Sequence, residues 1–309
     1  MRILVATDFS TRSQRAVRRA GILAQQTGAD VMLMHVVNGA GSRQVARDVR
    51  EAQRMTVEQA AVVPELFRVD CRSLVVPGRL PDPVLNAAAA RQVDLIVVGS
   101  DHGKDAQGLG QTVRDLIRAA PCPILVVNRS VVGPYAEVTV PVDLSAASAR
   151  ALHSVASLGL ADRARVTVVH AFDVLGKPRL SGFGIPREQI EGYVESWRSV
   201  YAEETEAFLE AEGLARRNWV RRTEEGRPDE VIASLAARTC SELLVMGTRG
   251  RTGFRRALLG SVTEAVLAAG QADVLVVPPP RPGSSSRSER SGWPLSAKAE
   301  RTALQVVTA

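Results

Sequence analysis

A chain of 309 residues, 45% hydrophobic and 23% charged, has material for two ordinary domains with real cores. Its net charge of +6 does not mark a nucleic-acid face: from Pro278 onward Arg281, Arg287, Arg290, Lys298 and Arg301 stand against Glu289 and Glu300, and this net +3 is half of the excess. No apolar run approaches the roughly 18 residues of a membrane span, "RILVATD" follows Met1 with no leader, and Cys71, Cys122 and Cys240 form no zinc or redox spacing, so a soluble, cytoplasmic protein without a membrane partner is expected.

In chain order, apolar runs rich in Val, Ile and Leu alternate with stretches of helical period, and the whole series is written twice. "RILVATDFSTRSQRAV" matches "EVTVPVDLSAASARAL" at an offset of 135, pairing Asp8 with Asp143 and Ser10 with Ser145. At the same offset "DVMLMHVV" pairs with "RVTVVHAF", His35 with His170. Further on, "VPGRLPDPVLNAAAARQVDLIVVGS" pairs with "EEGRPDEVIASLAARTCSELLVMGT", and "PCPILVVN" with "QADVLVVP". The division falls near "NRSVVGPYA", which predicts one domain over 1–130 and a second over 136–278. Such alternation predicts α/β architecture, a parallel sheet covered on both faces by crossover helices. Strands are expected in the second copy near 138–142, 166–171, 219–224, 242–246 and 274–277. Between them Ser145 is a plausible helix cap, and a helix beginning at Pro186 carries a core stripe through Ile190, Tyr193, Val194, Trp197 and Tyr201. After Val277 the chain turns to "PPPRPGSSSRSERSG", and residues 279–309 read as a basic disordered tail.

In a doubly wound sheet ligands bind at the carboxyl ends of strands where the strand order reverses. The first strands end in "TDFST" and "VDLSA", without the glycines of a dinucleotide turn. Glycines come after the fourth strand instead, in "VMGTRGRTGFRRALLGSVTEAVL". If strands one and four are neighbours, Asp143 and the Gly247 loop face each other across one crevice. Gly247, Gly250 and Gly260 would let backbone amides approach a bulky anion, and the helix that follows offers free donors near Ser261, Val262 and Thr263. Arg249, Arg251, Arg255 and Arg256 bring charge that suits phosphate. Each position has a plainer reading: Asp143 as part of a helix cap, His170 as a turn residue without chemistry, Thr263 as an ordinary first-turn threonine.

"GTRGRTGFRRALLGSV", G-x2-G-x9-G-S in this position, resembles the nucleotide-binding signature of the universal stress protein family, ATP-binding branch. The resemblance covers both halves, residues 1 to 278, with "GRPDEVI" and the closing "VLVV" included. It implies two tandem doubly wound domains, each a five-stranded parallel sheet of order 3-2-1-4-5, and a stress-response protein holding ATP in the second domain, with or without a divalent ion such as Mg2+. Carried over by position, Pro141, Val142 and Asp143 line the adenosine side, with Asp143 toward the ribose. The backbone of His170 and Ala171 meets the adenine edge, and Met246 and Gly247 sit below the sugar and first phosphate. Gly250, Gly260, Ser261, Val262 and Thr263 hold the phosphates, and Arg249 is counted with them. The resemblance also implies pairing between the two fifth strands, here within one chain as a pseudo-dimer; a homodimer and an unnamed protein partner stay open.

The first copy departs from this pattern. "VVGSDHGKDAQGLGQTVRDLI" keeps Gly99 and Gly110 but shortens the span between them by two residues, puts His102 at the place of Gly250 and Gln111 at that of Ser261, and adds Asp101 and Asp105. Negative charge there disfavours phosphate, so the first site is read as degenerate. "GSDHGK" is too short for a Walker loop and has no Ser or Thr after Lys104. The four histidines are scattered, and no carboxylate pair or nucleophile and base grouping can be argued from spacing. A binding protein is therefore the leading reading; a slow ATPase or nucleotidyl transferase, and a nucleotide-free interaction module, are the alternatives.

Overall fold

A computed structural model describes residues 1–39, 43–100, 110–160, 162–174, 177, 183, 185–248 and 259–279. In the first half the chain forms β1 (Arg2–Thr7), α1 (Thr11–Thr27), β2 (Asp30–Val37), α2 (Arg43–Phe67), β3 (Cys71–Pro77), α3 (Asp82–Ala90), β4 (Leu95–Gly99), α4 (Gln111–Ala119) and β5 (Ile124–Val127). The second half repeats the order: β6 (Glu137–Val142), α5 (Ala146–Ser157), β7 (Arg165–Phe172), α6 (Arg187–Ala211), β8 (Val220–Glu225), α7 (Pro228–Arg238), β9 (Leu243–Gly247), α8 (Ser261–Ala269) and β10 (Asp273–Val277). The expected strands and the helices after Ser145 and Pro186 are present. Tyr193, Trp197 and Tyr201 differ from the core reading: Ile190 and Val194 are buried, whereas the three rings are half-exposed and pack on one another at the margin. The tail from residue 280 lies outside the described residues. Among the described residues no helix is long and apolar enough to cross a membrane.

All ten strands join one sheet in the order β3-β2-β1-β4-β5-β10-β9-β6-β7-β8. Each half thus has the 3-2-1-4-5 order, with parallel neighbours throughout. The halves meet where β10 pairs antiparallel with β5, with Val274 opposite Val126, Leu275 opposite Leu125 and Val276 opposite Ile124. Neither fifth strand is therefore left as an apolar edge. The free edges are β3 and β8, and β8 is guarded by Arg221, Arg222, Glu224 and Glu225. Because side chains alternate along a strand, Leu125, Val127, Leu275 and Val277 enter the core layer under α1 and α5, whereas Ile124, Val126, Val274 and Val276 enter the layer under α4 and α8. Both core layers run through the seam.

A buried polar node fixes the seam at one end. Asp273, fully buried, accepts hydrogen bonds from the Asn128 and Arg129 amides at 2.9 and 3.0 Å and from the Tyr135 hydroxyl at 2.7 Å. Arg19 of α1, itself buried, lies with Nε 3.4 Å from the same carboxylate, stacks its guanidinium 3.8 Å over the Tyr135 ring and donates to Gly133 O at 2.7 Å. Burial, and then the Asp273 charge, push the Tyr135 hydroxyl well above its ordinary pKa, so it stays a donor. The node joins α1, the residues linking the two halves, and β10. Asp273→Ala should leave the Arg19 charge buried without its partner and cost about 3–5 kcal/mol, whereas Arg19→Met with Asp273→Leu should recover most of the loss. Urea denaturation of the three proteins measures both.

Candidate functional site

The carboxyl ends of β6 and β9 form the point where the strand order of the second half reverses. β6 is paired on one side with β9, Val138 opposite Leu243 and Thr139 opposite Leu244, and on the other with β7, Val142 opposite His170. Strands one and four are neighbours, as the crevice expected from the sequence requires. Alternation sorts the residues around it. Val142, His170 and Gly247 lie on the face covered by α5 and α6; Pro141, Ala171 and Met246 lie on the face covered by α7 and α8. Val142 and Met246 are buried in the two core layers, which leaves their backbone for any ligand.

The turn after β6 is built around Asp143. Its Oδ1 accepts from the Ser145 amide at 3.2 Å, the Ser145 hydroxyl at 2.6 Å and the Ser148 hydroxyl at 2.5 Å, while its own amide donates to Ser148 Oγ at 2.9 Å. Ser145 in turn caps α5 by accepting from the Ser148 amide. Leu144, between them, is held at φ 59°, a left-handed conformation that is unfavourable for a side chain with a Cβ. The first half repeats the device: Asp8, Ser10 and Ser13 with Phe9 at φ 64°. Burial raises the Asp8 carboxyl, but the Ser10 and Ser13 hydroxyls together with backbone amides outweigh it and hold the pKa below its ordinary value. The capping reading of Asp143 is thus realised in the structure. Ser148 and Ser13 were missed from sequence, although Asp-x-Ser-x-x-Ser occurs at both places at the offset of 135.

His170 has a structural task too. Its Nδ1 lies 2.9 Å from Val142 O, as His35 Nδ1 lies 2.8 Å from Thr7 O in the first half. A carbonyl only accepts, so Nδ1 carries the proton and the ring pins the end of the second strand to the end of the first. The His170 ring packs against Tyr201 at 5.2 Å, and the His35 ring stacks on Phe9 at 4.5 Å.

Gly247 is required by packing. A Cβ there would stand 2.8 Å from Ala147 Cβ and 3.0 Å from Ala147 O, just as one at Gly99 would stand 2.7 Å from Arg12 O. The missing side chain lets the helix after strand one press against the end of strand four and so brings the Asp143 turn and the start of the glycine loop together. This close approach is by itself a sufficient reason for the glycine. Arg249, Gly250, Arg251, Arg255 and Arg256, and in the first half Asp101, His102, Lys104 and Asp105, lie outside the described residues.

Helix α8 begins differently from α5. Gly260 is its N-cap and supplies no side-chain acceptor; its amide donates to Thr248 O at 2.9 Å. The first bond of the helix runs from the Glu264 amide to Gly260 O at 2.9 Å, so the amides of Ser261, Val262 and Thr263 come before it and meet no acceptor among the described residues. Ser261 is exposed, and Thr263 is buried with its hydroxyl donating to Gly247 O at 3.0 Å. Three amides at the positive end of a helix dipole suit an anion. In the first half α4 also starts at a glycine, Gly110, without a side-chain cap, but Gln111 and Val113 stand where α8 has Ser261 and Thr263. Among the described residues no group of three or more His, Cys, Asp and Glu is placed to hold a metal. A cavity of about 280 Å³ floored by Ile232, Leu244 and Val266 lies between α7 and α8, and none of the expected site residues line it.

Two expectations follow from these contacts. Gly247→Ala should destabilise the protein by about 1–3 kcal/mol, with partial recovery when Ala147→Gly is added, as read by thermal melts of the single and double variants. Asp8→Asn should lower stability at neutral pH. A depressed native pKa stabilises above the ordinary carboxylate value and loses that effect as pH falls through the native value, so urea titrations at pH 7 and pH 3 should show the gap to the parent protein closing in acid.

Most of the chain has known relatives. The family model described as "Universal stress protein family" matches residues 1–128 and again 134–278. A universal stress protein of Mycolicibacterium smegmatis is 27% identical over 309 residues, covering 90% of this chain and 97% of its own. Among solved structures, a universal stress protein from Archaeoglobus fulgidus has a TM-score of 0.65 at 16% identity, covering 90% of this chain and 98% of its own. A universal stress protein family protein from Arabidopsis thaliana, solved with AMP bound, is 22% identical and covers 41% of this chain and 90% of its own at a TM-score of 0.32. With two consecutive matches across the described fold, the chain belongs to the universal stress protein family.

Proposed function

We propose that this universal stress protein binds an adenine nucleotide, ATP in the first instance, in the second of two tandem domains (1–130 and 136–278), and that it acts as a regulatory binding protein rather than as an enzyme. The observation that carries the reading is the uncapped mouth of α8, where the Ser261, Val262 and Thr263 amides face the end of β9 next to the Asp143 turn. The phosphates would sit on those amides with Gly250, Arg249 and the Ser261 hydroxyl, and the sugar and base along Pro141, Val142, Asp143, His170, Ala171, Met246 and Gly247. The donor set fits a polyphosphate, since hydroxyls and amides complement non-bridging oxygens. The adenine part rests on membership of a family in which a member holds AMP. Asp143 Oδ1 is committed to Ser145 and Ser148, so in this reading its service to a ribose is secondary to shaping the turn. A bound divalent ion such as Mg2+ would be held by the phosphates, and its charge would offset theirs.

Nucleotide carried through purification tests the reading. The denatured protein should release adenine nucleotide on chromatography, and Gly260→Leu should abolish the release. Gly260 has φ −65° and ψ 145°, which any residue adopts, so the leucine blocks the helix mouth without backbone strain. Gly110→Leu in the first domain should leave the release unchanged. No released nucleotide from the parent protein, together with no calorimetric heat at millimolar ATP, would refute binding; equal losses in both variants would refute the assignment to the second domain.

A further inference from the structure

One buried polar group beside this site has no task in the fold. Thr248, the first residue beyond β9, is only 7% exposed. Its backbone is fixed on both sides: the amide donates to Val277 O at 3.2 Å at the end of β10, and its carbonyl accepts from the Gly260 amide at the start of α8. Leu244 and Met246 of β9 point into the core layer beneath α7 and α8, and alternation continues that side to Thr248, opposite Gly247, which faces α5. The Thr248 side chain therefore lies on the sheet face that α8 covers, under the first turn of the helix. Its Oγ1 is buried and, among the described residues, has no hydrogen-bond partner.

The neighbouring hydroxyls make this unusual. Thr263 Oγ1 donates to Gly247 O, Thr239 Oγ1 to Leu235 O and Thr205 Oγ1 to Tyr201 O, and Thr139 Oγ1 pairs with Ser241 Oγ, so each of these four hydroxyls in the second domain has a partner. A hydroxyl removed from water without a partner is costly, and such groups in native proteins call for a ligand or a role in the site. Three helix amides without acceptors start one hydrogen bond away, through Gly260.

We propose that Thr248 Oγ1 is an additional phosphate ligand, donating to a non-bridging oxygen of the nucleotide alongside the amides of Ser261 and Val262. This rests on the nucleotide reading above and names the side chain that completes the anion's shell from below. The first domain has Ser100 at this place, with its amide likewise on Val127 O, but Val113 and Gln111 where the second has Thr263 and Ser261. Thr248, Ser261 and Thr263 thus stand at the second helix mouth, against Ser100 and Thr112 at the first.

Calorimetry on the full chain with ATP, adenosine and inorganic tripolyphosphate, on Thr248→Val and Thr248→Ser, separates the possibilities. Thr248→Val keeps the shape and removes the hydroxyl. It should weaken ATP and tripolyphosphate binding about ten-fold, as expected for a hydrogen bond to a charged group, with adenosine unaffected. Thr248→Ser should bind ATP within about two-fold of the parent protein. Because the valine also removes an unpartnered buried hydroxyl, the ligand-free Thr248→Val protein should melt no lower than the parent. Unchanged ATP binding in Thr248→Val overturns the proposal, and so does a lower melting temperature that Thr248→Ser restores, since that marks a structural hydroxyl. A parent protein that binds tripolyphosphate but not ATP refutes the nucleotide reading alone, and the loss in Thr248→Val then still decides the role of Thr248. A parent that binds neither refutes both.

Discussion

The antiparallel pairing of β5 with β10 is the constraint on which the rest of the molecule depends. Each fifth strand is short, four and five residues, and apolar apart from Asp273 at the start of β10, and alone each would end its sheet in an exposed hydrophobic edge. Joined, they turn two five-stranded sheets into one of ten strands and let both core layers pass through the junction. The apolar contacts favour association but are tolerant of register, since valine and leucine pack nearly as well one step along. Asp273 removes that tolerance. Its carboxylate is satisfied only when the Asn128 and Arg129 amides, Tyr135 and Arg19 are all in place, so a shifted pairing would bury a charge without partners.

Two kinds of helix start divide the labour within each domain. The helices after strand one, α1 and α5, are capped by their own serines, Ser10 and Ser145, under an aspartate that holds the serine hydroxyls. Their amides are spent internally, and the left-handed residues Phe9 and Leu144 are the local strain of that arrangement. The helices after strand four, α4 and α8, start at glycine and keep their first amides without side-chain caps. The donors of the fold are thus concentrated at one of the two helix mouths that border the strand-order reversal, and the other mouth is sealed to give it a firm wall.

Much of this was legible in the sequence. The duplication at the offset of 135 implied equal halves, and the alternation of apolar runs with helical periods gave the strand positions; family resemblance then supplied the 3-2-1-4-5 order and the fifth-strand pairing. What stayed hidden depended on contacts between distant residues. The packing role of Gly247 was hidden because sequence cannot show that Ala147 lies against it. Asp273 carried no local signal beyond standing where the first copy has Pro123, and that departure from the repeat falls on the seam between the halves. Thr248 was passed over because its backbone is conventional; only burial without a partner sets its hydroxyl apart. The half-exposed rings of α6 show the limit of periodicity, which assigns a face to a helix but not how much of that face the sheet can cover.

The sense in which β5 and β10 run has a consequence for anything that reads the molecule from outside. Because they are antiparallel, the loops that follow the strands of one domain emerge beside the amino ends of the strands of the other. A visitor approaching α8 and the Asp143 turn meets the starts of β4 and β5 as its neighbouring terrain, not the ends of β1 and β4. The duplicated halves therefore turn their strand ends to opposite rims of a single sheet, and recognition of one rim leaves the other free to diverge.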